Sequence, residues 1–227
     1  MIDTNKLLEQ FMGGSAGSNA DTPKPATGRG DFVKGAAAGG ILGLLLGSKK
    51  VRKMAGGVVA YGGAAAAGAL AYKAYQNWQQ GKQAATAPVA TRTDMNHVDP
   101  RFLPAAIDSS GENFSLTLIT AMISASKADG HIDASEQAAI FNQVDKLSLD
   151  AESKAVVFDL LRKPVDIDAL VASVRGIEQA SEVYLVTRLA IDVDHPAERA
   201  YLDALAHRLN LPRELVLHLD HQVEGAQ

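Results

Sequence analysis

The 227-residue chain contains no cysteine. That excludes disulfides, thiolate metal sites and a cysteine nucleophile, and leaves the redox compartment undecided. Aromatic residues make up only 5% of the chain, so there are few platforms for stacked bases. The net charge is −4, with no long basic patch, and nucleic acid is not expected as a partner. Strand-like alternation is missing. The N-terminal "MIDTNKLLEQFMGG" has acids early and no apolar stretch directly behind a basic one, so it does not read as a signal peptide. No phosphate loop occurs. Nothing points to a nucleophile or to acid–base chemistry, and a non-enzymatic role is expected.

What is present is helical patterning. Residues 1–12 read as a short amphipathic helix, capped by Asp3 or Thr4, with Ile2, Leu7, Leu8, Phe11 and Met12 on its apolar side. Residues 13–31 are rich in Gly, Ser, Ala and Pro and read as a flexible linker. Residues 79–104 read as a second linker, interrupted by Pro88, Pro100 and Pro104. From 105 to 227 apolar residues recur at three- and four-residue spacing. The pattern predicts helices near 112–128, 134–147, 151–162, 167–175, 178–191, 197–209 and 213–223. The fold class expected is all-α, with about seven helices in this last part, a usual size for one core.

Between the linkers, residues 32–78 carry small residues at every fourth position. Gly35, Gly39, Gly43 and Gly47 precede the basic group Lys49, Lys50, Arg52 and Lys53. Gly56, Ala60, Ala64 and Gly68 follow it. Small residues four apart share one helix face and let two backbones approach. Phe32 to Gly47 spans about 24 Å as helix, short of a hydrocarbon core of about 30 Å. Met54 to Tyr75 spans about 33 Å and has no charge before Lys73. Tyr61, Tyr72, Tyr75 and Trp78 include candidates for an interfacial aromatic belt. A glycine-zipper membrane segment is therefore expected, as one span or a hairpin, with membrane lipid as a partner and self-association through its small faces. The other reading is an Ala/Gly-rich segment that never inserts, because alanine and glycine supply little transfer energy.

Acidic residues cluster twice. "SKADGHIDASEQ" holds Asp129, Asp133 and Glu136 around Gly130, and "AIDVDHPAERA" repeats the theme with Asp192, Asp194 and Glu198. Aligning Glu136 with Glu198 pairs Ile140 with Leu202 and Leu147 with Leu209. Two helix–acidic turn–helix units imply a pseudo-twofold repeat. The first turn fits the second half of an EF-hand loop, but Ala125 and Lys127 stand where the first two carboxylates belong. The six carboxylates could still offer hard oxygens to Ca²⁺ or another divalent cation. Capping explains the same residues without metal: Asp133 to Glu136 is a capping box, and Pro196 suits a first helical turn. His131 and His195 read as surface turn residues. His218 and His221 are three apart, with no carboxylate pair to complete a site.

The stretches "GAAAGGILGLLLGSKKVRKMAGG", "GALAYKAYQNWQ", "AMISASKADGHIDASEQ" and "EVYLVTRLAIDVDHPAERAYLDALAHRLNLP" together resemble the YebE-like inner-membrane proteins of proteobacteria. The C-terminal part of those proteins belongs to the tellurite-resistance TerB-like group. The resemblance implies an all-helical TerB-like domain, an inner-membrane location and a role in envelope or metal stress. It also implies divalent-metal binding through the acidic turns, at Asp129, Asp133 and Glu136 and at Asp192, Asp194 and Glu198. Val193 stands where the first turn has Gly130, a departure from the pattern. An alternative is a scaffold that oligomerises through its glycine faces and docks an unknown protein partner.

Overall fold

The computed structural model of the chain describes residues 3–12, 58–103, 114–128, 151–191, 193 and 196–226. Among them are eight α-helices and no strand. They are α1 (Thr4–Met12), α2 (Val58–Gln79), α3 (Phe114–Ala125), α4 (Ala151–Arg162), α5 (Ile167–Ala172), α6 (Gly176–Ala190), α7 (Pro196–Arg208) and α8 (Arg213–Gly225). Three 3₁₀ turns lie between α2 and α3, at Ala84–Thr86, Asp94–His97 and Pro100–Phe102. The expected helix at 134–147 and linker at 13–31 lie outside the described residues.

Helix ends follow the local chemistry. Asp3 Oδ1 accepts from the Lys6 N–H at 3.1 Å and caps α1. Asp166 caps α5 through the Ala169 N–H at 2.9 Å. Pro196 opens α7, where its missing N–H leaves nothing unsatisfied. At the end of α2, Gly81 takes a φ of 63°, and Lys82 N–H reaches back to Asn77 O at 3.1 Å. Asn210, at φ 53°, does the same for α7, sending Leu211 N–H to Ala206 O at 3.1 Å.

The molecule is organised around α6, which packs on α2, α3, α7, α8 and the third 3₁₀ turn. Every residue from Gln179 to Thr187 is buried, as expected of a helix enclosed on several sides. α3 supplies Phe114, Leu118, Ile119, Met122 and Ile123 to one side of it. α2 supplies Ala67, Leu70, Ala71 and Ala74 to the same continuous core, and α8 packs on α2 and α6, burying Leu215, Leu219 and Val223. α1 docks on α3 and α2 through Leu7, Leu8 and Met12, and the Ser115 hydroxyl donates to Asn5 Oδ1.

This arrangement overturns the inner-membrane location. Among the described residues no helix is long and apolar enough to cross a membrane. The expected span from Met54 to Tyr75 corresponds to α2, which buries a small-residue face on α6 and α8 and carries a buried Asn77. Tyr72 and Tyr75 do not form a belt. Both pack on Phe102, with ring centroids 5.3 and 5.5 Å away. The physical reason is the one that favours small residues at any close helix crossing: alanine gains little by entering lipid, yet admits a neighbouring backbone. The earlier stretch, with Gly35, Gly39, Gly43, Gly47 and Gly56, lies outside the described residues. Ala60 and Ala64 lie on α2. Gly68 meets the third 3₁₀ turn, where a Cβ would collide with the Phe102 carbonyl oxygen.

Candidate functional site

Five of the six expected metal ligands, Asp129, Asp133, Glu136, Asp192 and Asp194, lie outside the described residues, as do His131 and His195. The sixth, Glu198, sits partly buried in the first turn of α7. Among the described residues no group of three His, Asp or Glu is placed to hold a metal. The frame from which the acidic turns spring is nevertheless defined. The last turn of α3 meets the start of α7, where the Tyr201 hydroxyl approaches Ser124 without completing a hydrogen bond. Burial pushes that phenol up to about 12. α7 begins a few residues after α6 ends. At the opposite end, the Thr117 hydroxyl lies 3.5 Å from Ser173, just before α6 starts. α3 and α6 therefore run the same way.

Lys127 anchors the exit of the chain from α3. Its ammonium donates to Leu160 O at 3.0 Å and Lys163 O at 2.7 Å, the free carbonyls at the end of α4. Burial lowers its affinity for the proton. The side chain that stands at an EF-hand ligand position is thus turned onto α4. At the second exit Arg199 donates to Val193 O at 3.2 Å, and Val193 packs on the core.

A second polar constellation lies along α8. His218 Nε2 bonds Lys82 O at 3.1 Å, and His221 Nε2 bonds Ala87 O at 2.9 Å. Gln222 donates to Pro88 O at 3.0 Å and accepts from the Ala90 N–H at 2.8 Å. Asn77 of α2 adds a second donor to Pro88 O at 2.9 Å. These side chains hold residues 82–90 against the α2–α8 pair, so the stretch read from sequence as a linker runs as a fastened strap. Burial lowers the proton affinity of His218, whose Nδ1 has no partner. The spacing of His218, His221 and Gln222 on one helix face is visible in the sequence. Its use, satisfying carbonyls of a distant proline-containing strap, is not.

Beyond the strap, Tyr184 donates to Asp220 Oδ1 at 3.1 Å, and Arg188 Nε lies 3.3 Å from the same oxygen. Burial raises Asp220 in spite of Arg188, and burial together with Asp220 raises Tyr184. A groove of about 380 Å³ opens between α2 and the second 3₁₀ turn, lined by Tyr72, Lys73, Gln76, Thr93, Asp94 and His97 among others. Its cation is already matched: Lys73 Nζ lies 2.7 Å from Asp94 Oδ1. Burial alone would raise Asp94, but hydrogen bonds from Lys73 and Thr91 outweigh it and hold the carboxyl at about 2. Neither cluster pairs a nucleophile with a base.

Residues 31–223 match the family described as "Protein of unknown function (DUF533)". The "Uncharacterized protein in ampR 5'region" of Yersinia enterocolitica is 32% identical over 98 residues, which are 43% of this chain and 70% of that protein. No solved structure matches.

Proposed function

The chain belongs to the DUF533 family, and on that premise we propose that it is a non-enzymatic, TerB-like helical module that answers a divalent cation in bacterial metal or tellurite stress. The supporting observation is the parallel course of α3 and α6, whose C-terminal ends lie at the same end of the domain and precede the two acidic stretches in the chain. In the chain Asp129, Asp133 and Glu136 follow α3, and Asp192, Asp194 and Glu198 follow α6. Hard oxygens of that kind suit Ca²⁺, Mg²⁺ or Mn²⁺. In this reading the two helix–turn–helix units form the pseudo-twofold pair, and the ion links them. Lys127 on α4 and Arg199 on Val193 keep the roots of the turns in place. The response is a change in how α3 and α7 meet, read by a protein partner.

Calorimetric titration of the full chain with Ca²⁺, Mg²⁺, Mn²⁺ and Zn²⁺ tests this. Binding heat is expected for at least one hard cation. It should weaken at least about tenfold in Asp129→Ala with Glu136→Ala, and again in Asp192→Ala with Asp194→Ala, since each pair removes charged oxygen ligands. Absence of heat with all four ions removes the proposal. Loss in the first variant alone removes the shared ion and leaves a single-turn site.

A further inference from the structure

Glu182 stands in the middle of α6 and is completely buried. Neither carboxyl oxygen has a hydrogen-bond partner among the described residues. Its Oε1 faces Gly68 of α2, 3.5 Å from where a Cβ would stand there, and the same point is crowded by the Phe102 carbonyl. The carboxyl thus sits at the junction of α2, α6 and the third 3₁₀ turn. An ionised carboxylate without partner or water is among the most costly groups to enclose.

Several charged and titratable groups on the elements packed against α6 are engaged elsewhere. On α2, Lys73 pairs with Asp94. On the third turn, Arg101 pairs with Asp99 and with Glu178 at the start of α6. α3 carries no ionisable side chain. On α7, Arg199 reaches Val193 O, Arg208 pairs with Asp168, and Tyr201 lies by Ser124. On α8, Asp220 is held by Arg188 and Tyr184, and His218 and His221 bond the strap. Burial raises Glu182 well above the usual carboxylate range.

We propose that Glu182 is a proton-gated latch: neutral while α2 and the third 3₁₀ turn are seated on α6, and ionised when that layer lifts and admits water. Gly68 makes the geometry possible, because it lets the Phe102 carbonyl close over the carboxyl. The sign follows from the raised folded-state value. The stabilisation is fully present below the ordinary carboxylate pKa and is lost as pH rises toward the folded-state value. Above the ordinary value, opening becomes up to about tenfold more favourable per pH unit. The layer that moves carries both walls of the Tyr72–Asp94 groove and the end of the strap.

Hydrogen exchange of the full chain between about pH 6 and about pH 9, with the intrinsic base-catalysed rate divided out, reads this directly. Protection of residues 66–74 and 98–103 is expected to fall with pH in the wild type, more steeply than in α7. The fall is expected to vanish in Glu182→Gln, which keeps the shape without the ionisation. Infrared spectra at neutral pH are expected to show a protonated carboxyl band that Glu182→Gln lacks. If the Gln variant does not fold, Glu182→Met supplies the same comparison, and the wild-type infrared band stands without either. A wild type with no protonated carboxyl at neutral pH overturns the latch. So does an equal pH slope in wild type and variant, or one uniform across all helices.

Discussion

The two sides of α6 are sealed by opposite means. Against α3 it meets large apolar side chains, Phe114, Leu118, Ile119 and Met122, on a helix with no ionisable residue. Against α2 it meets Ala67, Gly68 and Ala71, and backbone comes close enough to enclose a carboxyl. A seam of large residues is stabilised by the area it removes from water, so deletions there hurt most. A seam of small residues is stabilised by close approach, so additions hurt most. The first is insensitive to pH. The second carries a titratable group and a strap fastened by imidazoles and amides.

Five substitutions sharpen or break this contrast, read by denaturant unfolding and, for the strap, also by hydrogen exchange. The largest effect is expected on the large-residue side: Phe114→Ala should cost about 3–5 kcal/mol and Met122→Ala about 2–5 kcal/mol. Costs below about 1 kcal/mol would show that α3 collapses onto α6 and that the seam is not tightly filled. On the small-residue side Gly68→Ala, although it improves helix propensity by about 1 kcal/mol, should lose about 1–3 kcal/mol through its clash with the Phe102 carbonyl. A gain in stability would show that the third turn yields easily. Next comes the strap: Gln222→Ala removes the acceptor of the Ala90 N–H and should cost about 1–3 kcal/mol. Its strap amides should exchange faster than those of α3.

The smallest effect concerns Asp94, whose carboxyl is partly exposed to solvent. Asp94→Asn should cost no more than about 1 kcal/mol, because water screens the Lys73 pair. Here the folded-state value is depressed, the reverse of Glu182. The contribution is present above the unfolded value near 3.8 and fades as pH falls toward about 2. Wild type and Asp94→Asn should therefore converge in stability at the acid end. Parallel curves down to about pH 2 would show that the ion pair adds nothing.

Much of the helical layout was legible. The periodicity placed α4 at its observed bounds and α7 and α8 within two residues. The caps Asp3, Asp166 and Pro196 are local signals that act through adjacent backbone groups. The misreading of α2 has a specific cause. A run of Ala and Gly presents the same spacing whether its close partner is a second membrane helix or α6 and α8, and only the partner distinguishes them. The fastening of the strap is not legible in the sequence, because Pro88 and Gly81 mark broken helix equally well in a loose linker and in a fastened one. The side chains that hold it down are more than a hundred residues away in the chain. Glu182 was passed over because a single acid in "SEVYLVTRLA" looks like a solvent-facing position until α2, α3, α7 and α8 close around the helix.

By itself the sequence determined the helical class, the helix ends and the doubling of the acidic stretches, because each of these depends on residues within one or two turns of each other. Only the tertiary structure decided that the small-residue helix is an inner wall, that α3 and α6 run parallel, and that the carboxyl of Glu182 is sealed beside Gly68. Each of those depends on which distant backbone arrives at a given face, and local spacing holds no information about that.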